Sequence, residues 1–334
     1  MTAFRSRCRG CLVGAAVGDA LGAPLEFLTK PQILERYGRV TDFVPVSPGH
    51  PNAGLLPGQF TDDTKLLVAM AEALIPGQDG LIGFNEAVFV SRLVAWYKSG
   101  DLRCAGKATK AACKALLKGR SPGESGVPNS LGGGAAVRAA PLGLLYSLGN
   151  DYGPILMKEC QGSTIITHKD ARAVGATAAI AGAVAILKGA IQPLSAKMFL
   201  RSVSTFSAGA EGLAAEGLGE SREYPDTFGA KLDRVRELLG LSTERGLHAL
   251  GNGGSVMECV PAAIFAFVNS PRDFEHSLFT AVNSGGDADT LGALVGALSG
   301  AYNGIDAIPE RLMAQLEDRD KLIALADALA AAAA

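Results

Sequence analysis

The sequence predicts an all-α protein that forms one domain over residues 1–334. Apolar residues recur at helical spacing through most of the chain, whereas alternating strand patterns and hairpin turn signals are nearly absent. Alanine is abundant and 42 of the 334 residues are glycine, and small side chains let helices pack closely. No internal repeat of fixed period is visible. We therefore expect a compact single-domain helical fold.

In the first half of the chain, helices are expected to alternate with loops rich in proline and glycine. Residues 4–22 carry small and apolar side chains at helical spacing, and Pro24 ends that helix. Several prolines in residues 28–60 predict a long loop before Thr61, and a second loop is expected over 119–134. Further helices are predicted at residues 65–74, 84–98 and 106–118.

In the second half, helical periodicity is more continuous. The stretch 207–229 is rich in glycine and charge and is expected to be a mobile insertion. Helices are predicted at residues 136–148, 151–160, 169–188, 194–205, 231–239, 255–269, 272–283, 289–302 and 309–334.

Charge and hydropathy argue against a nucleic-acid-binding protein and against a membrane protein. The formal net charge is −2, and lysine and arginine are scattered, so nucleic-acid binding is an improbable main role. No signal peptide or membrane span is evident, since the apolar run 173–187 is too short to cross a bilayer. We expect a cytoplasmic protein with no membrane partner.

The six cysteines include one close pair, Cys8-x-x-Cys11. This spacing occurs in redox and zinc sites, but no second close pair completes a zinc site. Both residues fall on the first predicted helix, where the spacing suits small buried side chains. Structural packing is therefore favoured, and disulfides are not expected in a reducing cytosol.

Two short acidic strings lie near opposite ends of the chain, Thr61-Asp62-Asp63-Thr64 and Gly285-Gly286-Asp287-Ala288-Asp289-Thr290. Each puts carboxylates and a threonine hydroxyl beside a predicted helix, and hard divalent cations prefer such oxygen ligands. A lone string of this kind is more often a helix N-cap. If the fold brings the strings together, four carboxylates share one place, which requires cations. The pair indicates a two-metal hydrolytic centre.

These strings belong to a longer ordered pattern of five segments. The segments are Gly14-Ala15-Ala16-Val17-Gly18-Asp19-Ala20-Leu21-Gly22 with Glu26-Phe27, Thr61-Asp62-Asp63-Thr64, Gly132-Gly133-Gly134-Ala135-Ala136-Val137-Arg138-Ala139-Ala140-Pro141, Thr167-His168, and Gly285-Gly286-Asp287-Ala288-Asp289-Thr290. On them the chain resembles the ADP-ribosylglycohydrolase family, which includes the dinitrogenase reductase-activating glycohydrolases. The resemblance covers nearly the whole chain and implies an all-α fold with a dinuclear metal cleft.

The resemblance implies a role for each segment. The glycine segment (Gly132, Gly133, Gly134 and Ala135) would lie along ADP-ribose, with exposed amides at the start of a helix. His168 would lie near the pyrophosphate, and Gly106 would also contact the substrate. Two Mg²⁺ or Mn²⁺ ions would be held by Thr61, Asp62, Asp63, Asp287, Asp289 and Thr290.

The implied reaction is cleavage of an N- or O-glycosidic bond between ADP-ribose and a modified acceptor. Two cations can hold the ribose diol and a water molecule, and a carboxylate beside them can transfer a proton in an oxocarbenium-like transition state. We expect Glu26, Asp62 and Asp289 to carry catalysis, with Glu26 as the acid/base residue. Asp19 could serve catalysis or brace backbone amides, and Arg138 is expected to pair with an acidic residue.

The chain departs from the family pattern at one place that bears on catalysis. Many relatives have an Asp-Ile-Gly segment whose aspartate is a candidate base, but alignment on Gly106 puts Cys104 at that position. Asp101 lies three residues earlier and could serve only if the loop were rearranged. The glycine segment also has Gly133 where relatives often show asparagine.

Three functions fit the sequence. The first is a metal-dependent hydrolase that acts on an ADP-ribosylated protein or another modified acceptor and releases ADP-ribose. The second is a non-catalytic ADP-ribose-binding relative, which Cys104 favours, and the third is a different two-metal hydrolase such as a phosphoesterase. The acceptor could be arginine, serine, a nucleic-acid end or a small molecule. Its selectivity is expected at the cleft rim, in residues 28–57, 99–105 or 207–229.

Overall fold

Seventeen α-helices make up most of the described chain, which comprises residues 2–77, 80–149, 151–219 and 226–333 of a computed structural model. Three short 3₁₀ turns lie at Gly133–Ala135, Val137–Ala139 and Ile305–Ala307. The predicted all-α class is confirmed. The helices are α1 (Ala3–Gly22), α2 (Lys30–Tyr37), α3 (Asp62–Leu74), α4 (Glu86–Ser99), α5 (Lys107–Leu117), α6 (Pro122–Ser125), α7 (Ala140–Leu145), α8 (Gly153–Ile165), α9 (Ala171–Leu187), α10 (Ala196–Leu218), α11 (Phe228–Glu237), α12 (Thr243–Leu250), α13 (Val256–Asn269), α14 (Phe274–Val282), α15 (Ala288–Asn303), α16 (Glu310–Gln315) and α17 (Arg319–Ala332).

Helices α1 and α15 pack antiparallel through glycine faces. A β-carbon on Gly18 would lie 1.9 Å from the carbonyl oxygen of Gly292, so no larger residue fits at the present helix separation. Because the helices are antiparallel, the C-terminal end of α1 lies beside the N-terminal end of α15, where the second acidic string begins. The facing pairs are Gly10 and Gly300, Gly14 and Gly296, and Gly18 and Gly292.

One hydrophobic core joins these helices. Helix α9 is buried along most of its length, as its run of alanine, valine and isoleucine requires. Cys8 and Cys11 are both fully buried in this core as free thiols, in agreement with the packing interpretation. Within the described ranges, no helix combines the length and apolar character that a membrane crossing requires.

A pair of two-residue strands is the only strand structure in the described chain beyond isolated bridges. Strands β1 (Val127–Pro128) and β2 (His168–Lys169) run parallel. The Val127 amide donates to the Thr167 carbonyl at 3.0 Å. This short ladder holds residues 127–128, which precede the glycine segment, beside His168.

Several segments differ from the predicted helix pattern. Helix α2 lies inside the predicted loop 28–60 and begins at a capping box, in which Gln32 Oε1 accepts from the Thr29 amide at 2.8 Å. Helix α12 lies in a segment for which no helix was predicted. The predicted helix 309–334 is divided between α16 and α17, because Asp318 adopts a left-handed conformation with φ 52°.

The predicted insertion 207–229 begins inside a helix. Residues 207–218 continue α10, and Ser207 donates to the Gly175 carbonyl of α9 at 2.8 Å. Glu211 accepts from the Phe228 amide at 2.9 Å, which ties α10 to the start of α11. The first twelve residues of the predicted insertion are therefore helical, and their α9-facing side is packed. Residues 220–225 lie outside the described chain, and mobility of the segment stays a prediction.

Candidate active site

The two acidic strings meet in the fold. The first string begins α3 and the second begins α15. Thr290 Oγ1 donates a hydrogen bond to Asp63 Oδ2 at 2.7 Å, so residues 227 positions apart are in direct contact. Asp62, Asp63, Asp289 and Thr290 are all at most 8% exposed. The convergence that a two-metal centre needs is thus present.

Asp19 fixes the start of α3 from inside the core. It is fully buried on α1, and its carboxylate accepts from the Thr61 amide at 2.8 Å and from the Thr64 amide at 2.9 Å. The Thr64 hydroxyl donates to the same carboxylate at 2.5 Å. These bonds satisfy amides that a helix start leaves unpaired. Of the two roles left open for Asp19, the geometry matches bracing of backbone amides.

A tight turn at Gly285 and Gly286 presents the second string. Both residues have positive φ, 78° and 77°, a region that glycine enters without strain. A β-carbon on Gly286 would lie 2.2 Å from the Asn252 carbonyl oxygen. Asn252 Nδ2 in turn donates to the Gly285 carbonyl at 2.7 Å, and its own carbonyl accepts from the Asp287 amide at 2.8 Å. Asn252 therefore holds the turn, a role that the sequence did not indicate.

Glu26 joins the second string just beyond the end of α1. One ligand oxygen from each of Glu26, Asp287 and Asp289 lies within 4.8 Å of the others, a grouping that could hold a metal ion. Asn52 Nδ2 donates to Glu26 Oε2 at 2.8 Å, and His50 Nε2 bonds to the Glu26 carbonyl at 2.7 Å. Both come from the predicted loop 28–60, where neither residue type nor spacing indicated a role.

Burial and mutual repulsion raise the pKa values of these carboxyl groups. Burial raises the pKa of Glu26 to about 8, and the Asp287 charge adds to the effect. Burial, then the charges of Asp19 and Glu26, raise the pKa of Asp62 well above its usual range. The pKa of Asp289 is also raised, first by burial and then by Glu26 and Asp287.

The donor set fits divalent cations. In the described chain, no lysine or arginine forms an ion pair with Glu26 or with the aspartates of either string. Several buried carboxylates without positive partners are unfavourable in the ionised form. Oxygen-only donors of this kind suit hard divalent cations.

The glycine segment borders this cluster but does not begin a long helix. Gly133 donates its amide to the Gly254 carbonyl at 3.0 Å, and the segment continues into two 3₁₀ turns before the short α7. The predicted helix 136–148 is therefore wrong at both ends, because the chain leaves the Gly254 contact through tight turns and becomes extended at Tyr146. A β-carbon on Gly133 would lie 2.9 Å from Thr290 Cγ2, so the glycine segment touches the second acidic string.

His168 lies beneath the glycine segment. It is 2% exposed, and a β-carbon on Gly132 would lie 3.0 Å from its Nε2 atom. The prediction that Arg138 pairs with an acidic residue is wrong. Its guanidinium donates to the carbonyls of Gly134 and Ser163 and to the Thr167 hydroxyl rather than to an acidic residue.

The loop before α5 brings Cys104, and not Asp101, towards the cluster. Cys104 has a left-handed backbone with φ 66°, and its thiol is close enough for the Glu26 and Asp62 charges to raise its pKa, after burial, to about 11. The Asp101 carboxylate pairs with Arg103 at 3.0 Å and is 53% exposed. A hydrogen bond from the Gly106 backbone to Asp62 counteracts the rise in the pKa of that carboxyl group.

The fold and the site define an all-α protein with a carboxylate centre suited to divalent cations at the junction of α1, α3 and α15. The family model described as ADP-ribosylglycohydrolase matches residues 1–334. The chain therefore belongs to the ADP-ribosylglycohydrolase family, and the resemblance is confirmed.

Individual relatives match over nearly their whole length. An uncharacterised protein of Archaeoglobus fulgidus is 34% identical over 326 residues, covering 98% of this chain and 96% of that protein. Human ADP-ribosylhydrolase ARH3 is 30% identical over 351 residues, covering 97% of this chain and 93% of ARH3. The solved structure of an ADP-ribosylglycohydrolase-related protein complex matches with a TM-score of 0.72 at 28% identity, over 100% of both chains.

Proposed function

We propose that this protein is a metal-dependent ADP-ribosylhydrolase that cleaves the N- or O-glycosidic bond between ADP-ribose and a modified acceptor. The observation that carries the proposal is the meeting of Glu26, Asp287 and Asp289 with the first acidic string, next to the glycine segment. Membership of the ADP-ribosylglycohydrolase family supports the substrate class, as does similarity to a protein named ADP-ribosylhydrolase.

The residues proposed to hold two divalent cations are those of the acidic strings. Their oxygen donors and lack of described positive partners support Mg²⁺ or Mn²⁺. Bound cations of this kind lower the pKa of a coordinated water and orient the ribose hydroxyls. The proposed ligands are Thr61, Asp62, Asp63, Asp287, Asp289 and Thr290.

Glu26 is the proposed acid/base residue, with Asp62 and Asp289 completing the catalytic set. Burial in the carboxylate cluster favours its protonated form, which can donate to the oxygen or nitrogen of the leaving acceptor. Asn52 donates to one Glu26 oxygen and thereby fixes the orientation of the carboxyl group. The carboxylates around it would stabilise positive charge that develops on the sugar.

ADP-ribose is proposed to lie along Gly132, Gly133, Gly134 and Ala135, with its pyrophosphate near His168. The absence of side chains on the three glycines lets a ligand approach the backbone and the underlying imidazole closely. Gly106, whose backbone lowers the pKa of Asp62, is also proposed to contact the substrate.

The test is release of free ADP-ribose from a pool of arginine- and serine-linked substrates, measured by mass spectrometry with Mg²⁺ and with EDTA. We expect release that requires the metal, and the substrate consumed identifies the linkage. Binding of ADP-ribose without release from any substrate in the pool would favour the non-catalytic alternative, which Cys104 supports. Release unaffected by EDTA would contradict the metal-dependent mechanism.

A further inference from the structure

Arg138 is a buried cation without a carboxylate partner. It is 1% exposed, and no described ion pair includes it. Its guanidinium donates to the Gly134 carbonyl at 3.1 Å, the Ser163 carbonyl at 2.9 Å and Thr167 Oγ1 at 2.7 Å, and lies 5.2 Å from the Phe89 ring centroid. Burial lowers its pKa to about 9, which leaves it charged at neutral pH. Its Nε atom has no hydrogen-bond partner in the described chain, and hydrogen bonds to neutral groups compensate the burial of the charge only in part.

The Thr167 hydroxyl connects Arg138 to His168. Because Arg138 donates to Thr167 Oγ1, the single hydroxyl proton of Thr167 is free for another acceptor. His168 Nδ1 lies 2.7 Å away, whereas the Thr164 carbonyl lies at 3.5 Å. The shorter contact is the stronger hydrogen bond, which favours Nδ1 as the acceptor. In a neutral imidazole the proton must then reside on Nε2.

His168 is held neutral with Nε2 facing the glycine segment. Burial lowers its pKa to about 3, and the Arg138 charge adds to the effect. In the part of the chain that the structure describes, the hydrogen bonds of the imidazole are made at Nδ1 and none at Nε2. The position of a β-carbon on Gly132, 3.0 Å from Nε2, marks the space directly above this atom.

We propose that Arg138 and Thr167 are positioning residues that fix the Nε2–H tautomer of His168 and so present a neutral donor to a phosphate oxygen of the ligand above Gly132. The same anion would compensate the buried Arg138 charge beneath the segment. This inference rests on the proposed function for the identity of the ligand. The tautomer itself depends only on the free protein.

The first test is the tautomer of His168 in the free protein, from long-range ¹H–¹⁵N NMR of the imidazole. His168→Gln identifies the signal among the four histidines of the sequence. We expect a proton on Nε2 and no titration between about pH 5.5 and 8, because a buried neutral imidazole does not take up a proton in that range. A proton on Nδ1, or titration in that range, would overturn the proposal.

The second test is the affinity for ADP-ribose of three variants with bound Mg²⁺, measured by calorimetry. Thr167→Val removes the relaying hydroxyl, and we expect a tautomer mixture with binding about 3- to 10-fold weaker, the range of one neutral hydrogen bond. Thr167→Ser keeps the hydroxyl and should show the tautomer and the ADP-ribose affinity of the wild-type protein. Thr164→Val is the matched control, since Thr164 is equally buried but donates to Thr177 at 2.9 Å.

The outcomes separate this proposal from the proposed function. If Thr167→Val and Thr164→Val had the same His168 tautomer population and the same affinity for ADP-ribose, the positioning role would be refuted, even if the wild-type protein hydrolyses its substrate. Failure of the wild-type protein to bind ADP-ribose would refute the ligand assignment and the proposed function. In that case the NMR result still decides whether Arg138 and Thr167 set the tautomer.

Discussion

At the scale of single residues, the site depends on how each carboxyl group is supported. Asp19 accepts three hydrogen bonds from the start of α3 and is committed to the fold. Glu26 accepts a side-chain hydrogen bond from Asn52 and lies among Asp287 and Asp289. Two carboxyl groups a few residues apart in sequence thus receive different roles, because Asp19 is bonded to the start of α3 whereas Glu26 lies beside the carboxylates of the second string.

Glu26→Gln tests the acid/base assignment. The substitution keeps the volume and the oxygen that accepts from Asn52 but removes the transferable proton. We expect turnover to fall by about 10²- to 10⁴-fold, with binding of ADP-ribose retained, as measured by steady-state kinetics and calorimetry. Glu35→Gln, on the exposed face of α2, is the control and should match the wild-type protein. An unchanged rate in Glu26→Gln would transfer the role to another residue.

Asp287→Ala tests the metal centre. It removes one carboxylate from the cluster without touching the glycine packing of α1 and α15. We expect Mn²⁺ to raise the Tm of the wild-type protein, and we expect Asp287→Ala to lose both this rise and hydrolysis with helical circular dichroism preserved. Asp306→Ala removes an exposed carboxylate beyond α15 and should keep both properties. Full activity in Asp287→Ala would be incompatible with the two-metal proposal.

At the scale of elements, the close approach of α1 and α15 positions the chemistry. The spacing of Gly10, Gly14 and Gly18 in α1 is present in the sequence and could have indicated a helix contact face. It does not identify the partner helix, because many helices in this chain are rich in small residues. The folded structure identifies α15 as the partner, because its glycines lie directly opposite those of α1.

Gly18→Ala tests this packing. A β-carbon there would lie 1.9 Å from the Gly292 carbonyl oxygen, so the helices must separate. We expect a loss of about 1–3 kcal/mol in the free energy of unfolding, the usual effect of overpacking, together with reduced activity. Gly212→Ala in α10 meets nothing within 4 Å and should stabilise the protein by about 0.4–1 kcal/mol. Urea unfolding measures the stability of both variants. Similar stabilities of Gly18→Ala and Gly212→Ala would refute the proposed packing of α1 on α15.

Secondary-structure elements were predictable where local signals were strong. Helices α3 and α15 begin beside Thr61 and Asp287, as the acidic strings indicate. Helix α2 was missed because the prolines around it outweighed the capping box at Thr29. The division at Asp318 was missed because its left-handed backbone has no glycine signal. Such features depend on contacts that a local pattern does not contain.

At the scale of the whole molecule, the carboxylate cluster couples stability to pH and to metal. The folded state raises the pKa of Glu26 from 4.5 to about 8, so between these values the folded protein binds more protons than the unfolded chain. The free energy of unfolding of the metal-free protein should therefore fall as pH rises through this range. Bound cations favour the ionised carboxylates and oppose the fall.

Urea unfolding at pH 5 and pH 8 checks this expectation. In EDTA we expect the urea midpoint to be lower at pH 8 than at pH 5. Mg²⁺ should reduce this difference in midpoint. Glu26→Gln is the matched variant, because it removes the contribution of Glu26 and should show a smaller pH dependence in EDTA. If wild-type and variant midpoints changed equally with pH, Glu26 would not titrate as the fold requires.

The all-α class, the family and the importance of the two acidic strings could be predicted before the fold was known, because they depend on residue types and short-range order. The contacts between distant groups became visible in the folded chain: Thr290 with Asp63, Asn52 with Glu26, and Arg138 with His168 through Thr167. Each of these joins segments that local propensity treats as independent. Their proximity, burial and pKa values arise when packing removes water from the space between them.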